Sequence, residues 1–315
     1  MLINLILLII GFVVLIKGAD FFVEGASGIA TNCKVSKVLI GLTIVAFGTS
    51  APEFAVSIKS LITESGDIVL GNVIGSNIIN ILLIIGSSAL FHSLTVKNHT
   101  VKREIPIMLM MTCAFAVLLS DHLLDATIPN IFTRGDGMIL VLFFSIFLYY
   151  LVKMTQKKEE SIKPEMIPIK QAVVYTIVGL IGIILGGNVV VDSAVIMAQK
   201  MGVTERMISL TIIALGTSLP ELVTSIEATY KGEVDIAIGN VVGSNIFNIG
   251  MVMGIPVTIL GSIRVIGFHW IDLLVMIIAT ILLLIFSLND YKISKKEGIT
   301  FLLLLIMYYS YVVLV

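Results

Sequence analysis

Charge is what this sequence has least of. Of its 315 residues only 13% are Asp, Glu, Lys or Arg, against 57% hydrophobic, where soluble globular chains are roughly a quarter charged. So little polar surface cannot cover a water-soluble fold, and most of the chain must meet lipid. That excludes a soluble enzyme and a disordered protein. The net charge is −1, so no basic field exists to hold nucleic acid. Cysteine is nearly absent: Cys33 and Cys113 lack zinc-binding spacing and cannot build a disulfide framework. The four histidines, His92, His99, His122 and His269, fall in or beside connections between apolar runs, where a solvated or interfacial ring is the ordinary reading. Short alternating segments of the kind that build a membrane β-barrel are missing too.

What is present is a series of long apolar runs, at a mean hydropathy of +1.08. Ten predicted spans of about 20 residues or more follow: 2–23, 37–62, 67–91, 104–120, 136–153, 170–191, 206–229, 233–261, 265–287 and 298–314. The N-terminus has no basic region and no small-residue cleavage site, so it reads as the first mature span rather than a removable signal. Lys and Arg set the orientation. Fourteen lie in one set of connections: Lys34, Lys37, Lys97, Lys102, Arg103, Lys153, Lys157, Lys158, Lys163, Lys170, Lys231, Lys292, Lys295 and Lys296. The other set holds four: Arg134, Lys200, Arg206 and Arg264. Lys17 and Lys59 sit inside spans near their ends and can snorkel. The imbalance places the first set, with the longest loop, in the cytoplasm and both termini outside a cell or inner membrane.

The chain repeats itself. ValAlaPheGlyThrSerAlaProGluPhe at 45–54 returns as IleAlaLeuGlyThrSerLeuProGluLeu at 213–222, and GlyAsnValIleGlySerAsnIleIleAsn at 71–80 returns as GlyAsnValValGlySerAsnIlePheAsn at 239–248. Both offsets are 168, and about half of the positions from 40 to 86 equal their partners without a gap. Agreement at Gly, Asn, Pro and Glu marks a duplicated unit. The expected organisation is a first five-helix repeat at 1–155, a cytoplasmic linker at 156–168 and a second repeat at 169–315. Five spans is an odd number, so the second copy enters the membrane from the opposite side. The expected fold is therefore an all-α membrane protein of ten transmembrane helices in two inverted-topology repeats. Such repeats mark secondary transporters, with a midplane site where interrupted helices meet.

Two acids stand out by depth. Glu53 and Glu221 lie mid-span at matching places, and an intramembrane carboxylate by default marks an ion or proton path. No Lys or Arg lies at that depth to neutralise them. Pro52 and Pro220 precede them, each removing a backbone donor and freeing carbonyls of the turn before, Ala46–Thr49 and Ala214–Thr217; Gly48 and Gly216 ease the break. Broken backbone at membrane depth is tolerated where it lines a cavity or is buried in protein. With the hydroxyls of Thr49, Ser50, Thr217 and Ser218, these groups make an all-oxygen site suited to hard cations such as calcium. The motifs hold no Cys or His, which argues against zinc, copper or iron. The second motif adds Ser76, Asn77 and Asn80, and Ser244, Asn245 and Asn248. Ser76 and Asn80 share one helix face, and neutral oxygens suit sodium. Ser76 and Ser244 read as ligands, Asn72 and Asn240 as interhelical hydrogen-bonding residues. Gly11, Gly18, Gly179, Gly186 and Gly187 thin the first and sixth spans for close packing.

Together the paired GlyThrSer-x-ProGlu and GlyAsn-x-x-GlySerAsn motifs resemble the cation/calcium exchanger superfamily, specifically prokaryotic sodium/calcium exchangers, over essentially the whole chain. The resemblance implies ten helices, a central diamond of four ion sites, exchange of Na+ for Ca2+, and first and sixth helices that slide as a gate. It implies that Glu53, Glu221 and the backbone oxygens of Thr49 and Thr217 hold Ca2+. One Na+ site would be Ala46, Thr49, Ser50, Ser76 and Glu221, the other Ala214, Thr217, Ser218, Ser244 and Glu53, with Asn80 and Asn248 flanking the centre. Some members carry Asp where this chain has Asn248. The central site here has two carboxylates and two amides, and one Ca2+ neutralises its formal charge.

The leading expectation is a Na+/Ca2+ antiporter, with Na+, Ca2+ and the bilayer as its partners, no cofactor, no nucleic acid and no obligate protein partner. The alternative is an antiporter of H+ against Ca2+ or another divalent cation, since buried carboxylates can carry protons. A channel usually repeats around an axis normal to the membrane, unlike this repeat. An intramembrane enzyme would need a nucleophile or a His ligand beside the two acids, and the motifs supply neither.

Overall fold

The structure, a computed structural model, describes residues 2–63, 66–121, 131–156, 167–202, 214–265 and 270–314. They are almost entirely helical. In chain order the helices are α1 (Leu2–Cys33), α2 (Lys37–Thr49), α3 (Ala51–Ile62), α4 (Gly66–Phe91), α5 (Ile105–Leu118), α6 (Arg134–Thr155), α7 (Ile169–Lys200), α8 (Ala214–Thr217), α9 (Leu219–Tyr230), α10 (Val234–Leu260), α11 (Trp270–Leu288) and α12 (Lys295–Leu314). Six of them (α1, α4, α6, α7, α10 and α11) are long and apolar enough to cross a membrane; α2 with α3, bent by 43°, makes a seventh. Three of the ten expected spans fall outside that count among the described residues. The fourth is α5, whose preceding π-helical turn Thr100–Glu104 brings in Lys102, Arg103 and Glu104; the seventh begins in residues outside the description; the tenth is α12, which opens on Lys295, Lys296 and Glu297.

Burial sorts the helices into an inner and an outer set. The apolar stretch of α10 is 100% buried and that of α4 72%, against 22% for α1 and 28% for α6. The reason is composition. Both inner helices carry Gly, Ser and Asn, which let backbones approach and satisfy one another. The outer helices are plain Leu, Ile, Val and Phe, and side chains such as Ile9, Leu142 and Ile177 face outward, as they must where the solvent is lipid. Seen from the chain, α1 and α7 each run to 32 residues, about 48 Å, well past the expected ends at 23 and 191. Nothing in Gly25-Ala26-Ser27-Gly28 or its counterpart stops a helix once small residues can pack. A Cβ on Gly18 would lie 2.7 Å from the Ile183 backbone nitrogen, and one on Gly186 2.6 Å from that of Leu15. The two helices therefore touch backbone to backbone only because these positions are glycine.

Helix starts also moved. The α6 helix begins at 134 rather than 136, because Thr133 and Asp136 close a reciprocal capping box, which satisfies otherwise orphaned amides. Ser294 and Glu297 do the same for α12: the Glu297 carboxylate accepts from the Ser294 amide at 2.6 Å, so that helix begins at 295 rather than 298.

Short antiparallel pairs tie the connections at two ends. β1 (Leu94–Thr95) pairs with β4 (Lys292–Ile293), and β2 (Ile131–Phe132) with β3 (Ile263–Arg264). At the β1–β4 end Lys97 meets Asp235 at 2.9 Å, and Lys37 meets Glu233 at 2.6 Å. Glu233 also accepts from Ser27 of α1, and Lys231 pairs with Asp20. Lys37, Lys97, Lys231 and Lys292 gather there, while Arg134 and Arg264 lie at the opposite end with Gly66, which packs on Ile263.

Candidate cation-binding site

The site grows from two breaks in regular helix. Ser50 sits between α2 and α3 at φ −83°, ψ 3°, and Ser218 between α8 and α9 at φ −90°, ψ 4°. Pro52 and Pro220 occupy the first turns beyond and have no N–H to offer the carbonyls of Gly48 and Gly216. The Ala46 carbonyl, read from the sequence as freed, still accepts from the Ser50 amide at 3.0 Å and from the Thr49 hydroxyl at 3.4 Å. Ala214 and Thr217 form α8; Ile213 lies outside the described residues, as do Arg206, His122 and His269.

Around these breaks the contacts are reciprocal. Thr49 Oγ1 donates to Asn240 Oδ1 at 3.1 Å, and Thr217 Oγ1 to Asn72 Oδ1 at 3.4 Å. Asn72 Nδ2 donates to the Glu53 carbonyl at 3.3 Å, and Asn240 Nδ2 to that of Glu221 at 3.4 Å. Each Asn thus clamps the backbone beside one carboxylate to the threonine of the other half, the interhelical role read for them from sequence. Asn77 and Asn245 face each other across the centre, each amide near the other's carbonyl at 3.5 and 3.4 Å. Asn80 Nδ2 donates to Asn245 Oδ1 at 2.9 Å, and Asn248 Nδ2 to Asn77 Oδ1 at 3.0 Å. The glycine crossings Gly18–Gly179 and Gly11–Gly186 obey the same rule. In each of these pairs, where residue a touches the counterpart of b, residue b touches the counterpart of a, which is how a two-fold axis pairs its copies.

This network decides where the free oxygens are. Asn80 and Asn248 each donate through Nδ2 across the centre, and their Oδ1 atoms are buried with no partner among the described residues. So are both carboxylate oxygens of Glu53 and one of Glu221. Glu53 and Glu221 are each 1% exposed and repel one another electrostatically. Five buried, unpartnered acceptor oxygens around two like charges are not a stable arrangement of protein alone, because buried polar groups are almost always satisfied. They fit a cation bound through oxygen.

The remaining expected residues fall in the same shell. Ser218 Oγ donates to Ser76 Oγ at 3.2 Å, and the hydroxyls of Thr49 and Ser244 lie 3.5 Å apart. Here the two-fold fails: Ser50 Oγ donates to Glu221 Oε1 at 3.2 Å, while Ser218 turns to Ser76 and leaves Glu53 without a donor. Two features escaped the sequence reading. Asn80 and Asn248 each open a wide π-helical turn, Asn80–Ile85 and Asn248–Gly254, which re-aims the side chains that follow it; no residue type announces it. The second is Glu104, fully buried and bonded to the Tyr150 hydroxyl and to His99 at 3.2 Å. His99 is therefore not simply solvated. Cys33 and Cys113 are free and exposed.

A multi-pass membrane protein enclosing an all-oxygen cage with two carboxylates is a protein built to bind and pass hard cations. The chain belongs to the sodium/calcium exchanger family, whose model matches residues 3–153 and 171–314. It is 38% identical to the putative antiporter CaxA of Alkalimonas amylolytica, over 99% of this chain and 98% of that protein. It is 31% identical to the sodium/calcium exchanger MaX1 of Methanosarcina acetivorans, over 96% of each. The solved structure of the sodium-calcium exchanger NCX_Mj soaked with 10 mM Na+ and no Ca2+ superposes with a TM-score of 0.86, at 31% identity over 98% of both chains. The chain is thus a cation/Ca2+ antiporter by family.

Proposed function

We propose that the chain exchanges Na+ for Ca2+ by alternating access to one site at the membrane midplane. The observation that carries this reading is the set of unpartnered oxygens on Glu53, Glu221, Asn80 and Asn248. Ca2+ sits at the two carboxylates with the backbone oxygens of Thr49 and Thr217. Na+ takes the flanking positions, one built by Ala46, Thr49, Ser50, Ser76 and Glu221, the other by Ala214, Thr217, Ser218, Ser244 and Glu53. Each flanking position borrows a carboxylate that Ca2+ needs, so occupancy by one ion excludes the other. That mutual exclusion makes the exchange obligatory. Neutral hydroxyls beside the carboxylates favour Na+ over H+ as the coupling ion, because a proton needs only the carboxylate.

The architecture in this reading is ten spans in two inverted repeats, 1–155 and 169–315, joined by a linker at 156–168. The reciprocal contacts between the halves support it. The Lys-rich end, with the β1–β4 pair, faces the cytoplasm of a cell or inner membrane, and both termini lie outside, in keeping with the positive-inside bias. Transport has no cofactor and no obligate protein partner.

Radiocalcium uptake into proteoliposomes loaded with Na+ or with K+, at equal pH on both sides, tests the coupling. Uptake from Na+-loaded vesicles alone is expected. Equal uptake from both removes Na+ from the mechanism, and uptake driven by a pH gradient without Na+ establishes H+ in its place.

A further inference from the structure

Serine and threonine in these helices have a default. Thr43, Ser87, Thr112, Thr176, Thr258 and Thr280 each donate to the carbonyl four residues back, the usual way to satisfy a hydroxyl in an apolar helix. Ser57 and Thr224 do not. Both are 0% exposed and have no hydrogen-bond partner among the described residues, and a buried hydroxyl left in that state calls for an explanation.

Their position supplies one. The buried residues of α3 are Glu53, Ser57 and Ser60. These fully buried positions form one polar stripe at the i, i+4, i+7 spacing, flanked by Phe54 and Leu61, which are half-buried against the apolar core. In α9 the buried stripe runs Glu221, Thr224, Ser225, Ala228 and Thr229. Ser225 is bonded to Asn240 at 2.9 Å and Thr229 to the Ser225 carbonyl at 2.8 Å, which leaves Thr224 as the free oxygen. Each carboxylate is thus followed, about 4.5–6 Å further along its helix, by one hydroxyl unpartnered among the described residues. The two stripes head for opposite ends: α3 towards Gly66 and Ile263, α9 towards Lys231 and Glu233. Apolar packing does not select such a face, because Ala or Val would fill it without an unmet hydroxyl.

We infer that Ser57 and Thr224 are transit ligands, the first oxygens a cation meets on leaving the central carboxylates, Ser57 on the way to one membrane face and Thr224 on the way to the other. An ion shedding carboxylate oxygens must gain others before it reaches water, and a neutral hydroxyl holds it without trapping it. Both hydroxyls are as closed to solvent here as the carboxylates, so both routes are shut in this conformation. The inference rests on the cation-antiport reading of the central site. It adds that residues outside that site set the rate of passage and leave equilibrium affinity alone.

The test uses the full chain in proteoliposomes with Ser57→Ala, Thr224→Val and, as a control, Ser287→Ala, which removes another buried unpartnered hydroxyl near the end of α11. Wild-type protein is measured first; if it takes up no Ca2+ under any cation gradient, the antiport reading fails before the hydroxyls are tested. With wild-type transport established, Ser57→Ala and Thr224→Val are expected to slow turnover by about tenfold while calorimetric Ca2+ affinity stays within about twofold, and Ser287→Ala to change neither. Wild-type turnover in both variants, or affinity and turnover falling together, overturns the assignment. Independently of expression or folding losses in those variants, Ser57→Cys and Thr224→Cys, each in a Cys33→Ser, Cys113→Ser background, are expected to react with a membrane-impermeant thiol reagent from opposite faces, with Ca2+ protecting both. Reaction of both from one face, or of neither from any face, also overturns it.

Discussion

At the residue scale, the free oxygens matter more than the polar count. Glu53, Glu221, Asn80 and Asn248 are not the only buried polar side chains near the centre, but their acceptor oxygens are left open among the described residues while the Asn80 and Asn248 amides donate to the facing asparagines. With Ca2+ bound, a missing carboxylate leaves the desolvated cation short of an opposite charge, at a cost of about 3–5 kcal/mol. Glu53→Gln and Glu221→Gln should therefore each reduce Ca2+ uptake by about a hundredfold or more; full activity in either variant removes that glutamate from the site. Asn77→Ala makes a subtler change. It strands the Asn248 amide and lets its Oδ1 turn away, a loss of about 1–3 kcal/mol. Half-saturation for Ca2+ should rise roughly tenfold, and the protein should still fold, since Asn77 contributes no charge.

At the scale of elements, the molecule depends on where helices are regular and where they are not. α1 and α7 are unbroken and meet through glycine, so their backbones come into direct contact, with Leu15, Phe22 and Ile183 packed alongside. Gly18→Val pushes a branched side chain into the Ile183 backbone and should cost about 1–3 kcal/mol of stability. Gly187→Ala meets no atom within 4 Å among the described residues and should stabilise the helix by about 0.5–1 kcal/mol. Unfolding temperatures in detergent should move in opposite directions for the two; a drop for both would show that the glycines serve helix bending rather than the crossing. The opposite design holds in α2–α3 and α8–α9, where proline and a non-helical serine interrupt the chain beside a carboxylate. There the irregular backbone is enclosed by α4 and α10, the most buried helices, which is the condition under which the membrane tolerates it.

At the scale of the whole molecule, cation binding and folding are linked. Two like charges held together in a dry core are a destabilising feature that the cation relieves. A ligand that binds only the folded form adds about 2.7 kcal/mol at a hundred times its dissociation constant. Ca2+ should therefore raise the unfolding temperature of the wild type, and Glu221→Gln should lose that rise. Mg2+ at the same concentration should give little, because it demands tight octahedral geometry and sheds water reluctantly. Na+ should erode the Ca2+ effect by competing for the same carboxylates. If Na+ and Ca2+ stabilise additively, they occupy separate sites and mutual exclusion is not the basis of exchange.

Membrane class, repeat and central residues were legible in the chain because each leaves a local mark. Lipid solvent shows as long apolar runs, duplication as an offset of 168, and an intramembrane carboxylate as Glu53 or Glu221 in such a run. The clamp role of Asn72 and Asn240 also followed from residue type and depth. Helix ends were less legible: α1 and α7 overrun their apolar segments because packing by small residues, which pattern alone does not weigh, carries a helix onward, and α6 and α12 start earlier because capping boxes add a turn. What only the tertiary structure decided is which oxygens remain free. Asn80 and Asn77 are both asparagine in one motif, yet one offers its carbonyl to the centre and the other spends it on Asn248. Ser57 and Thr43 are both hydroxyls in helices, yet one is satisfied by its own backbone and the other is not. The physical reason is that a residue type states what a side chain could bond to, while its neighbours in space, here drawn from two halves far apart in sequence, determine what is left over.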